Sequence, residues 1–288
     1  MRDSALVLFL SVVSCGSDFD RSASLVTAPR ILAVRAQPPE SAGGDEVAYS
    51  ALVATPAGED TTADLAWSFC STPPALTESG AVSATCVAGE GEVLASGTTI
   101  TAITPTDACR RFGPLGMPLT SSTKVGIPLS PDETGGSYQP IRVVWDGGLA
   151  FAFERLTCDP MGVSMDVASA YATAHQPNRN PHIASFTASP ESGPDLDVTV
   201  TWAAEDRESY VMVDPTTATL AWKTERLWVD WFVTGGRLDR DATPTTSIDL
   251  LASNRWHGPS TPGIYFVWAI LHDDRGGVDF AKLAFNAQ

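Results

Sequence analysis

No apolar run in this 288-residue chain approaches the roughly eighteen residues a membrane-crossing helix needs. Lysine is scarce, occurring only as Lys124, Lys223 and Lys282; Lys and Arg together number 18 against 34 Asp and Glu, a formal net charge of −16. Such a chain lacks the clustered cations that meet a phosphate backbone, which excludes nucleic acid as a partner. It equally excludes docking on anionic lipid through protein charge. The preference for arginine over lysine reads as compositional bias rather than function. Histidine is limited to His175, His182, His257 and His272. GxSxG, HExxH, GxGxxG and P-loop signatures are all missing, so an enzyme built on this chain would need a site assembled from loops. No CxxC pair occurs, which argues against a zinc site. Long helical periodicity is also missing. With 23 Gly, 21 Pro and many short alternating runs, the chain is predicted to be all-β, as sandwiches.

What is present begins at the N-terminus. Arg2 supplies a short basic start beside Asp3, and residues 5–13 are apolar, a length that suits a signal segment. The run ends Val12-Val13-Ser14-Cys15-Gly16, which resembles the bacterial lipobox. The resemblance implies cleavage after Ser14, lipid on Cys15, and a membrane partner reached through that lipid. Several acyl chains on one cysteine anchor stably where one does not. Gly16, in place of the aspartate that retains some lipoproteins at the inner membrane, points to the outer one. The competing reading is a short buried strand with an ordinary cysteine. Residues 15–28, small and polar, are predicted to be a flexible tether.

The other four cysteines, Cys70, Cys86, Cys109 and Cys158, form an even set suited to two disulfides in an exported protein. Three pairings are open. Loop entropy favours Cys70–Cys86, which leaves Cys109–Cys158.

A faint internal repeat divides the remainder. Pro29-Arg-Ile31-Leu-Ala-Val34-Arg-Ala36-Gln-Pro38 and Pro181-His-Ile183-Ala-Ser-Phe186-Thr-Ala188-Ser-Pro190 share their proline, apolar and alanine offsets. Each half also closes on a hairpin-like unit, around Asp146-Gly147-Gly148 and around Asp273–Gly277, where glycine supplies the positive φ of tight turns. The predicted organisation is a signal peptide (1–14), a tether (15–28), a divergent sandwich carrying the four cysteines (29–158), an arm (159–180) with helical spacing at Val163, Val167, Ala170, Tyr171 and Ala174, and a second sandwich (181–288). In the second half, Trp231-Phe-Val-Thr-Gly235-Gly236, Pro262-Gly263-Ile-Tyr265-Phe-Val267-Trp-Ala269-Ile-Leu271 and Asp273-Asp-Arg-Gly276-Gly277 resemble immunoglobulin-like domains of the PKD or cadherin-like type. The layout as a whole resembles bacterial cell-envelope lipoproteins of unassigned function.

Three candidate sites follow. The pairs Asp195/Asp197, Asp239/Asp241 and Asp273/Asp274 read first as solvated turn carboxylates. For Asp273 and Asp274 the cadherin-like resemblance raises calcium as a ligand. The aromatic residues are the third. Alternation puts Leu227, Val229, Trp231 and Val233 on one face of their strand, and Tyr265, Val267, Ala269 and Leu271 on the matching face of another. Trp228, Phe232, Phe266, Trp268 and Ile270 then form an outward apolar patch. Such a patch is rarely left to water. It packs on the first domain or the arm, binds a protein partner, or stacks on glycan rings. The leading expectation is a non-enzymatic, membrane-anchored protein presenting immunoglobulin-like modules. The alternatives are a glycan- or calcium-dependent binding module and a hydrolase with a loop-borne site.

Overall fold

Period-two alternation of apolar and polar residues builds two immunoglobulin-like sandwiches, one after the other. The computed structural model describes residues 23–74, 82–114, 133–146, 148–214, 216–246 and 248–287. The first sandwich contains β1 (Arg30–Gln37), β2 (Glu40–Ser41), β3 (Glu46–Thr55), β4 (Gly58–Glu59), β5 (Ala66–Cys70), α1 (Ala84–Val87), β6 (Gly91–Ser96), β7 (Thr99–Ile103), α2 (Ala108–Phe112), β8 (Ser137–Trp145) and β9 (Gly148–Leu156). One sheet centres on β3, with β1 along one edge and β7 and β4 along the other. The second sheet runs β2-β9-β8-β5-β6. Val47, Tyr49 and Val53 of β3 pack against Trp67, Phe69, Ile141 and Val143 from the other sheet to form the core.

A proline in the central strand β8 needs an explanation, because it cannot donate to the ladder. Phe69 pairs with Ile141, so the Cys70 carbonyl falls beside Pro140. The side-chain amide of Gln139 donates to that carbonyl at 2.8 Å and replaces the missing N–H. The two disulfides join Cys70 to Cys86 and Cys109 to Cys158, the pairing that loop entropy favours. Both pack with Ala108, Phe112 and Leu156 in a small cluster beside the main core.

The arm carries α3 (Met165–Ala174), whose first turn is capped by the Ser164 hydroxyl. The second sandwich follows with β10 (Ser185–Ser189), β11 (Asp195–Thr201), β12 (Ser209–Asp214), β13 (Thr219–Thr224), β14 (Leu227–Val233), β15 (Arg237–Leu238), β16 (Ala242–Pro244), β17 (Leu251–His257), β18 (Gly263–Asp273) and β19 (Val278–Ala287). Its sheets run β10-β11-β17-β15 and β16-β14-β18-β19, and β12 with β13 forms a separate hairpin. Leu227, Val229, Trp231 and Val233 face Leu196, Val198, Val200 and Trp256 across the core. Gly236 adopts φ +76°, and a Cβ there would lie 2.1 Å from the His257 carbonyl oxygen, so only glycine fits where the chain enters β15 against β17.

Residues 24–26 depart from the tether expected over 15–28. Val26 N–H donates to the Val233 carbonyl at 2.7 Å, Val233 N–H donates to the Ser24 carbonyl at 2.8 Å, and Val26 is fully buried. The segment joins the end of β14 as a short parallel addition, because Val26 finds an apolar seat between the sandwiches. Cys15 and the signal peptide expected over 1–14 lie outside the described residues.

Removing a disulfide releases loop entropy into the unfolded chain, and that entropy grows with the logarithm of loop length. The sequence separations are 49 for Cys109–Cys158 and 16 for Cys70–Cys86. Replacing the first pair by alanine is expected to cost about 4 kcal/mol, against about 3 kcal/mol for the second. Denaturant midpoints of the two double variants check the order, and an equal or reversed order contradicts it.

Candidate functional site

The outward face of the second sandwich is covered by the first. In β3, odd positions fill the first core, while Leu52 and Ala54 point the other way. In β1, a bulge at Leu32 breaks the register between Ile31 and Ala33, so Leu32 and Ala33 also turn outward. These four residues and Val26 pack against Phe232, Phe266, Trp268, Ile270, Val278 and Phe280. Trp268 and Ile270 are 0% exposed. Of the aromatic patch, Trp228 alone stands apart from this contact; its ring stacks on His272 with centroids 5.0 Å apart, and it lines an open cleft. Arg35 with Asp279 (3.1 Å) and Lys282 with Glu59 (2.9 Å) bridge the rim of the interface.

A buried ionic network lies beside the apolar contact, threaded by the arm. Arg275, 1% exposed, donates to Glu225 at 2.6 Å, to Glu208 at 2.7 Å and to the Gln176 carbonyl at 3.2 Å. Its guanidinium lies 4.7 Å from the centre of the Tyr210 ring. Asp273 accepts from the backbone N–H groups of Arg275 and Gly277 and from the Asn178 amide. Gly277 is required here, since a Cβ would fall 2.0 Å from the Asp273 carboxylate. From the first domain, Glu40 accepts from Asn178 N–H at 2.8 Å and faces His175 and Arg155 at 3.1 and 3.4 Å. Burial works against ionisation of Glu40, yet His175, Arg155 and Asn178 together hold its carboxyl below the usual range. Glu225 behaves oppositely. Burial, with the charge of Asp273 adding to it and Arg275 opposing, pushes its carboxyl up to about 8. Burial also raises Asp273. Another buried acid, Glu154, accepts from Ser41, Tyr49 and Thr104. Burial raises both the Glu154 carboxyl and the Tyr49 phenol.

Between the network and the disulfide cluster a cleft of about 650 Å³ opens along the seam of the two sandwiches. One wall is β1 from Ile31 to Val34, and the other is β9 from Ala150 to Phe153. Trp228, His272 and Asp274 close one side. Asp274 pairs with Arg226 through Oδ2 at 3.3 Å, while its buried Oδ1 has no hydrogen-bond partner among the described residues.

Asp273 and Asp274 both border the cleft, but Asp273 is buried and spends its carboxylate on the junction, while Asp274 pairs with Arg226. Asp195 and Asp239, from two separate acidic pairs, converge on His257, whose ring nitrogens lie 2.7 and 2.8 Å from their oxygens. Asp197 pairs with Arg255 at 3.1 Å. His182 sits 3.3 Å from Asp279, and His272 lies 3.1 Å from Asp230. Sequence reasoning missed Glu40, Glu225 and Arg275, which stand far apart in the chain, and both strand walls of the cleft. Two signals pointed to part of this: apolar Ile31–Val34, and the paired aromatics Phe151 and Phe153.

A carboxyl whose pKa is higher in the folded than in the unfolded chain takes up a proton on folding. Its stabilisation is complete below the ordinary value of 4.5 and is lost as pH rises through about 8. Between pH 5 and 8.5 the wild type is therefore expected to lose stability relative to Glu225→Gln. Denaturant unfolding of both proteins across that range checks this; a stability difference that stays constant with pH contradicts it.

No protein-family model and no curated protein matches the chain. Among solved structures, the D00-D0 domain of Intimin aligns over 91% of this chain and 98% of its own at 11% identity, with a TM-score of 0.26. The Yersinia pseudotuberculosis adhesin InvE aligns over 89% of this chain and 58% of its own at 12% identity and TM-score 0.23. The chicken CNTN1 FN1-FN3 domains align over 91% and 69% at 8% identity and TM-score 0.22. Scores at this level bear on neither activity nor partner.

Proposed function

We propose that this chain is a non-enzymatic envelope lipoprotein in which the two sandwiches act as one rigid recognition unit. The observation that carries the reading is the complete burial of Trp268 and Ile270 against β1 and β3. That packing uses the aromatic face internally and leaves the seam cleft as a surface shaped jointly by both modules. Binding sites favour such concave positions at domain interfaces. Two disulfides support an oxidising compartment. The lipobox-like Val12–Cys15 segment supports a lipid on Cys15, with the outer membrane favoured by Gly16. No helix among the described residues is long and apolar enough to cross a membrane, so in this reading the lipid supplies the attachment.

The anchor is tested in cells fed labelled palmitate. The wild-type protein is expected to take up label and sediment with outer membranes. Cys15→Ser is expected to lose both the label and the membrane association. A labelled Cys15→Ser protein, or a mature chain that begins elsewhere, contradicts the proposal.

A further inference from the structure

Among the described residues, strand β9 is covered along only part of its outer edge. Arg155 N–H donates to the Pro39 carbonyl and Thr157 N–H to the Ser41 carbonyl, where β2 runs parallel to β9. Backbone groups two residues apart point the same way, so Phe153, Phe151 and Leu149 present theirs on that same outer edge. No described strand pairs with them there, because β1, the chain segment that leads into β2, belongs to the opposite sheet. An open row of strand N–H and C=O groups is a template for another strand. This row faces the cleft, and the rings of Phe151, Phe153 and Trp228 give the cleft apolar walls.

Two further observations select an occupant. The open edge continues the β2–β9 ladder in line, and Leu32, Ala33 and Val278 belong both to the cleft and to the packed interface between the sandwiches. The cleft is thus a continuation of an interface already formed by strands. The buried Asp274 Oδ1 lacks a donor among the described residues, in a chain with net charge −16.

We propose that the seam cleft binds an extended peptide strand of a partner protein, added to β9 along Leu149–Phe153, with apolar side chains at alternate positions and a basic residue reaching Asp274. The proposal rests on the recognition-unit reading and names its ligand class. The contact differs from the covered aromatic patch, since its affinity comes from main-chain hydrogen bonds and its selectivity from alternate side chains and one charge.

The test uses the full chain and the heptapeptide Thr-Val-Thr-Val-Thr-Val-Lys. The controls are the same peptide with alternate backbone nitrogens methylated, and a version ending in Glu. Amide exchange of residues 149–153 and peptide affinity are measured together. The lysine peptide is expected to slow exchange at Leu149 and Phe151. Methylation is expected to abolish binding. The Glu ending, or Asp274→Asn in the protein, is expected to weaken it about tenfold, the loss that goes with one buried charged hydrogen bond. The charge swap on the peptide leaves the protein unaltered, so it holds even where Asp274→Asn disturbs folding. The proposal is overturned if exchange is unchanged or if the methylated peptide binds equally well. It is also overturned if the free protein already protects these amides, through its own chain or through a dimer of two copies. Such a failure removes the peptide ligand and leaves anchored display standing. Loss of the palmitate label would remove the anchor and leave this binding result intact.

Discussion

The structure depends on one strand being buried on both faces. In β18, Val267, Ala269 and Leu271 fill the core of the second sandwich, while Trp268 and Ile270 fill the contact with the first. Five consecutive residues are therefore inaccessible, a pattern more familiar in parallel sheets covered by helices than in an antiparallel sandwich. Burying one tryptophan and one isoleucine removes apolar area worth roughly 5 kcal/mol from water. The ionic network beside them is a different kind of contribution. Desolvating Arg275 and its carboxylates costs about as much as their attraction returns. The apolar face thus holds the modules together, and the network fixes how they meet.

Several local features serve that contact. The bulge at Leu32 changes which side of β1 is apolar and lets one strand contribute to both the first core and the interface. Beyond Gln37 the chain crosses from β1 to β2 and so changes sheet, which closes the far end of the seam and leaves the near end open as the cleft. The arm ties the crossing in place. Asn180 caps the Ala36 carbonyl at 2.7 Å and accepts from Val278 N–H, and Asn178 links Glu40 to Asp273. The cleft is a by-product of sheet switching, placed between rigid walls by the domain contact.

Much of this was legible in the sequence where the signal was local. Alternation separated Trp231 from Phe232 and Val267 from Trp268, and the strand pairing of β14 with β18 puts them on the sides it indicated. The Asp273–Gly277 turn and the two disulfides were readable from glycine placement and loop length. What stayed hidden depends on residues far apart in the chain. Arg275 meets Glu225 across 50 residues, and Glu40 meets Asn178 across 138, with no pattern near either to reveal the partner. Ser24–Val26 attach to the end of a strand by a few backbone bonds, and the apolar pair Leu25 and Val26 was the one mark of it in an otherwise small, polar stretch. An unpaired strand edge is a property of topology, so the open edge of β9 carried no sequence mark, although Phe151 and Phe153 marked the strand as apolar.

Packing on the Trp268 face makes the two sandwiches one cooperative unit. Scanning calorimetry of the full chain, beside Trp268→Ala, probes this coupling. A two-domain chain whose modules are energetically coupled melts in one transition, with calorimetric and van't Hoff enthalpies equal. That single transition is expected for the wild type. Trp268→Ala is expected to lose about 3–5 kcal/mol, the usual cost of emptying a buried tryptophan site, and to separate into two transitions. A wild-type protein that melts in two independent steps, each unmoved by Trp268→Ala, would contradict the coupling.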